Sequence, residues 1–75
     1  MKLELKGIAS EVSTYNVNHR VYYNFTLTTE SGEVYKVFTR YEDAECDIDN
    51  DGYYHISGIE VSKETILALA VTVNR

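Results

Sequence analysis

Residues 20–41 read RVYYNFTLTTESGEVYKVFTRY. From Arg20 to Thr29, apolar and polar side chains alternate. Val21, Tyr23, Phe25 and Leu27 fall on one face; Tyr22, Asn24, Thr26 and Thr28 fall on the other. A period of two belongs to a strand buried on one side. Glu30-Ser31-Gly32-Glu33 then reads as a hairpin turn, with Gly32 supplying the positive φ that such turns require. Residues 34–41 return as the partner strand. One of its faces carries Val34, Lys36, Phe38 and Arg40, the other Tyr35, Val37, Thr39 and Tyr41. The second set is the more apolar and makes the better core side, which leaves Phe38 between Lys36 and Arg40 on the open face.

Upstream, residues 2–14 place Leu3, Leu5, Ile8 and Val12 among polar residues. Their alternation slips near Gly7, as in a strand that bulges or bends there. Tyr15-Asn16-Val17-Asn18-His19 reads as a loop whose asparagines favour local turns. Downstream, residues 42–51 form an acidic connection with at most one helical turn around residues 42–46. Asn50-Asp51-Gly52 signals a turn. Residues 53–61 are a fourth strand with Tyr54, Ile56 and Gly58 inward before Ile59 and Val61. Residues 64–73 have two readings. Leu67, Leu69, Val71 and Val73 alternate as a strand would, whereas Ile66, Leu69, Ala70 and Val73 match helical spacing behind a Ser62 cap. The β-branched ending Val71-Thr72-Val73 favours the strand. Short strands joined by tight turns predict an all-β fold, a small barrel or sandwich.

The 75 residues amount to a single domain, 1–75. At this size a chain buries roughly 60% of the surface that its unfolded form exposes. Seven tyrosines and no proline suit pleated, half-buried surfaces. Cys46 is the only cysteine, so the chain has no internal disulfide, and a lone thiol fits a reducing compartment. The first residues alternate charge with leucine and hold no apolar core of signal-peptide length. No apolar run approaches the roughly 18 residues that span a bilayer. These features predict a soluble cytoplasmic domain with no membrane partner.

The formal net charge is -5, with twelve acids against seven bases. Glu42, Asp43, Glu45, Asp47, Asp49 and Asp51 crowd into ten residues that hold no base. Outside that stretch six acids face seven bases, so the remainder carries +1. The acidity belongs to one segment. Even so, +1 is not the basic footprint of a tight phosphate binder.

Three runs share a pattern with a known fold. Gly7-Ile8-Ala9-Ser10-Glu11-Val12-Ser13 resembles the first strand of oligonucleotide/oligosaccharide-binding (OB) domains, bent at a glycine. The run from Tyr22 to Val34, with its aromatic-x-leucine strand and Glu30-Ser31-Gly32 turn, resembles the next hairpin in the replication protein A and bacterial nucleic-acid-binding branches. Ile56-Ser57-Gly58-Ile59-Glu60-Val61 is similar to the fourth strand. The resemblance implies a five-stranded OB-type barrel with at most one short helical turn between strands 3 and 4. Two departures stand out. The helix common between the third and fourth strands is shortened to the acidic segment, and the first loop offers only Arg20 where lysines and arginines are usual.

By the same resemblance, single-stranded DNA or RNA would lie on the face of strands 2 and 3. This sequence puts Tyr22, Asn24, Lys36, Phe38 and Arg40 there, with Tyr15, His19 and Arg20 on the rim. Aromatic planes that stack bases, interleaved with cations for phosphates, are what a sequence-tolerant single-strand binder needs. The other reading makes this a structural or protein-contacting face, since tyrosines on open strand faces also pair across the ladder. Its partner is then another protein, or a second copy of the chain.

Asp47-Ile48-Asp49-Asn50-Asp51-Gly52 matches the first half of a calcium loop, with acids at positions one, three and five and glycine at six. The twelfth position is Gly58, so the closing carboxylate is missing. Asp47, Asp49 and Asp51 are therefore a weak cation candidate beside the plainer reading of a solvated acidic turn. Cys46 sits between Glu45 and Asp47, whose charges oppose a thiolate. His19 and His55 are 36 residues apart, with no zinc-type spacing. No nucleophile elbow or phosphate-cradling loop is present. The expectation is a binding module without a cofactor, not an enzyme.

Overall fold

The computed structural model describes residues 2–73. The central hairpin forms as its alternation dictates. Strand β2 (Arg20–Thr29) buries Tyr23, Phe25 and Leu27, and β3 (Val34–Arg40) buries Val37 and Thr39. The turn between them closes with the Gly32 N–H donating to the Thr29 carbonyl at 2.9 Å, Gly32 itself at φ 87°. Val21 lies beyond the core at the exposed start of β2. Tyr41, expected on the core side, is 52% exposed. The reason is local: β3 ends at Arg40 and the chain enters a single 3-10 turn (Tyr41–Asp43), so the strand's parity stops one residue early.

Strand β1 (Lys2–Val17) is longer than expected, because 15–17 continue the strand and the loop shrinks to Asn18 and His19. Both turn residues have positive φ, 50° and 67°, the twist that a two-residue hairpin demands. The irregularity expected at Gly7 also lies elsewhere. Through Gly7 the ladder is unbroken, and the apparent slip is Ile8 facing outward. Glycine serves a close approach at this point: a Cβ on Gly7 would run into the Thr28 carbonyl oxygen. The bulge comes later, between Ser10 and Ser13, where Glu11 and Val12 oppose Phe25 alone and Glu11 takes φ 52°.

Strand β4 (Tyr53–Ser62) turns Tyr54, Ile56 and Gly58 inward, as its sequence indicates. Residues 65–73 are a strand, β5 (Thr65–Val73), and the helical reading falls. Its inward set is Ile66, Ala68 and Val71. A register shift against β4 leaves Leu69 as the extra, exposed residue and moves the buried parity by one. The strands close in the order β1-β2-β3-β5-β4, with β3 and β5 parallel and the other pairs antiparallel. The molecule is therefore an all-β, closed five-stranded barrel with one 3-10 turn between β3 and β4.

The acidic segment is built into the barrel. Its Ile48 is buried with the core, and the Tyr54 hydroxyl accepts the Asp49 N–H at 2.8 Å and donates to the Asp47 carbonyl at 3.1 Å. Asp51 N–H donates to the Ala9 carbonyl at 2.7 Å, and Ala9 N–H donates to the Gly52 carbonyl at 2.9 Å. The Asn50 side chain accepts the Val12 N–H at 3.0 Å. Backbone groups left by β1 as it bends away from β4 are thus satisfied by this loop, which buried N–H and C=O groups require. No helix among the described residues is long and apolar enough to cross a membrane.

Candidate functional site

The bulge at Glu11 and Val12 decides what stands on the outer face. Before it, the odd-numbered residues of β1 turn inward; after it, Ser13 and Tyr15 turn outward. Tyr15 therefore lies directly across the ladder from Tyr22, and Tyr22 across from Arg40. The next row is Ser13, Asn24, Phe38 and, through the parallel pairing, Leu67. A third row joins Thr26, Lys36 and Thr65. Tyr15 and Tyr22 stack with ring centroids 5.6 Å apart and planes 17° from parallel. Phe38 meets Tyr15 edge-on, at 6.4 Å and 86°. Three strands contribute one aromatic cluster.

The structure brings together Tyr15, Tyr22, Asn24, Phe38 and Arg40 among the residues singled out from sequence. Lys36 stands exposed one row away. His19 and Arg20 sit at the exposed tip of the β1–β2 hairpin, beyond the last row of β3. The Asn24 Oδ1 is buried without a hydrogen-bond partner among the described residues. Leu67 was not singled out from sequence, because its place beside Phe38 depends on the β3–β5 pairing, which joins strands far apart in the chain.

The electrostatics of this face are mixed. Arg40 Nε donates to Asp43 Oδ2 at 2.8 Å, and Glu42 Oε1 lies at 3.8 Å. The hydrogen bond to Asp43, and then its charge, push the guanidinium further into its protonated range. The acidic segment thus neutralises one of the cations that sequence assigned to the ligand. Thr26 donates to Glu11 Oε1 at 3.5 Å, which places another carboxylate at the border. Lys36 keeps its side chain in solvent while its N–H donates to the Glu64 carbonyl at 2.8 Å.

Two further places hold polar or aromatic groups. Tyr41 stacks on Tyr23, centroids 5.4 Å apart, beside Cys46 and Asp47. Burial there, then Tyr41 and Asp47, raise the Tyr23 phenol; burial, then Asp47 and Glu45, raise the Cys46 thiol. On the opposite side a groove of about 590 Å³ is lined by Glu4, Lys6, Glu30, Glu33, Tyr53 and His55. Several of these pair with each other: His55 with Glu4 at 3.2 Å, Tyr53 with Glu30 at 2.7 Å. Asp47, Asp49 and Asp51 are not gathered. Among the described residues no three His, Cys, Asp or Glu side chains converge as metal ligands.

What fold and face together define is a small closed β-barrel bearing an aromatic outer cluster on three adjacent strands. No protein-family model, no curated protein and no solved structure matches the chain.

Proposed function

We propose that the chain is a binding module for single-stranded nucleic acid, held on the outer face of β1, β2 and β3. The contact of Tyr15, Tyr22 and Phe38 carries this reading. A base needs only an exposed π-face to stack, and each stacked base contributes roughly 1–3 kcal/mol, so a small aromatic platform supports binding to many sequences. Lys36, Arg40 and Arg20 supply phosphate partners around it, and Asn24 offers an amide at its centre. A five-stranded barrel whose second and third strands form the ligand face is also how OB folds hold oligonucleotides. The chemistry is recognition without bond making, by either DNA or RNA.

The test is an amide NMR titration with a short oligo-thymidine and its RNA counterpart at low and moderate salt. Salt-sensitive shifts on Tyr22, Lys36, Phe38 and Arg40 are expected. Phe38→Ala with Arg40→Ala removes a stacking surface and a phosphate partner, and should weaken binding tenfold or more. Unchanged affinity in that variant removes the ligand from this face. The ion pairs of Arg40 favour a second reading, in which the same aromatic face docks a protein. Silence towards both oligonucleotides at millimolar concentration selects it.

A further inference from the structure

A closed barrel has no sheet edges, yet β1 outgrows the closure. Its pairing with β4 covers only Lys2 to Ile8. Ala9 and Val12 are then satisfied by the 50–52 turn. From Ser13 to Val17 the strand is paired with β2 alone, and every residue from 13 to 17 is exposed. In a hairpin turning at Asn18 and His19, Val17–Arg20, Tyr15–Tyr22 and Ser13–Asn24 are the pairs that exchange hydrogen bonds. The N–H and C=O groups of Thr14 and Asn16, between them, therefore point to the open side. Among the described residues nothing pairs with that side.

Open edges usually carry a charge, a proline or a covering loop that prevents pairing. Residues 12–19 contain no Asp, Glu, Lys, Arg or Pro, and are mostly β-branched, aromatic or amide side chains. We propose that residues 13–17 of β1 pair antiparallel with the same residues of a second copy of the chain, about a two-fold axis at Tyr15.

Charge argues for a second copy. Each chain carries -5, so two copies repel over most approaches, but this strip is uncharged and lets them meet. A basic or acidic peptide gains no charge contact here. The geometry is self-complementary: Thr14 faces Asn16 of the second copy, and the reverse, so both open residues exchange both backbone bonds. The two Tyr15 residues meet in the closely spaced, non-hydrogen-bonded position between them. The exposed Tyr15 and Val17 double their apolar surface across the seam. Pairing uses up this edge, so assembly stops at a dimer and does not run on into a filament. Five residues a side fall well short of a standard interface of about 1,600 Å², which makes the dimer a weak and reversible one.

Sedimentation equilibrium without any nucleic acid tests this apart from the binding reading. The weight-average mass should climb from 8.6 kDa towards about twice that value as the protein approaches millimolar concentration. Thr14→Glu with Asn16→Glu sets like charges directly opposite each other only in the dimer, and should hold the mass at the monomer value. Circular dichroism checks that this variant folds. Mixing it with Thr14→Lys/Asn16→Lys should restore a one-to-one dimer, which a merely unfolded variant would not do. A wild-type mass that stays at the monomer value overturns the proposal. So does a glutamate variant that associates as the wild type does.

Discussion

Tyr15 and Tyr22 lie across one rung of the β1–β2 ladder with their rings stacked, centroids 5.6 Å apart. Phe38 closes on Tyr15 from the third strand. Rings in mutual contact respond to truncation as a unit, so their losses do not add. Tyr15→Ala and Tyr22→Ala should each weaken oligonucleotide binding about tenfold, near the lower end of the roughly 1–3 kcal/mol for a stacked base. The double variant should lose less than the product of the two. Fluorescence anisotropy on all four proteins measures this, and fully multiplicative losses would mean that the rings hold separate bases.

Asp43 competes with any phosphate for Arg40. Asp43→Asn leaves the guanidinium with only the longer Glu42 contact, so binding should tighten. The plot of log affinity against log salt should steepen by up to about 0.7, the full share of the one phosphate that Asp43 otherwise contests at Arg40. An unchanged slope would place the phosphates away from Arg40.

The Tyr54 hydroxyl is the rivet between the acidic segment and the barrel. Tyr54→Phe keeps the ring but leaves the Asp49 N–H and the Asp47 carbonyl without that partner. The expected cost is about 1–3 kcal/mol in urea unfolding. Amide exchange should quicken at Asp49 and Asp51 before it does at Val37. Uniform quickening across the barrel would show that the segment is not a separately held unit.

Cys46 should alkylate slowly at neutral pH. Burial, and then the charges of Asp47 and Glu45, raise its thiol pKa above the ordinary value, so the thiolate is scarcer than in free cysteine. The rate against iodoacetamide should rise only above the pH at which a free thiol responds. The folded state holds this proton more tightly than the unfolded state. Its contribution to stability is therefore complete below the unfolded pKa of about 8.5 and is lost as pH rises through the folded value. A rate profile matching free cysteine would contradict the burial.

Much of the barrel was legible because its strands are buried on one side, and a one-sided strand writes its period into the sequence. Tyr23, Phe25 and Leu27 on β2, Val37 and Thr39 on β3, and Tyr54 and Ile56 on β4 all sit where alternation puts them. Gly32 marked its turn for the same local reason. Of the candidate face, Tyr22, Asn24, Phe38 and Arg40 were legible as the polar-side complement of that alternation.

Bulges are where local reading broke down. A single extra residue reverses which side chains face the core, and nothing in the composition of residues 11–12 or 69 announces it. Hence the outward face of Tyr15 was hidden, in a segment that Asn16 and Asn18 already made look like a loop, and Leu69 looked like part of a buried alternation. The ion pair that engages Arg40 was equally hidden, since it depends on where β3 ends and how the next three residues turn.

The hairpin, the strand periods and the segregation of acid into residues 42–51 could be read directly from the chain, because each follows from neighbours in sequence. It took the folded chain to show that β3 meets β5, that Tyr15 joins Tyr22 and Phe38, that the acidic segment packs onto the barrel through Ile48 and Tyr54, and that the end of β1 stays open. Those outcomes rest on pairings between residues far apart in sequence, where register is set by the packing of the whole core.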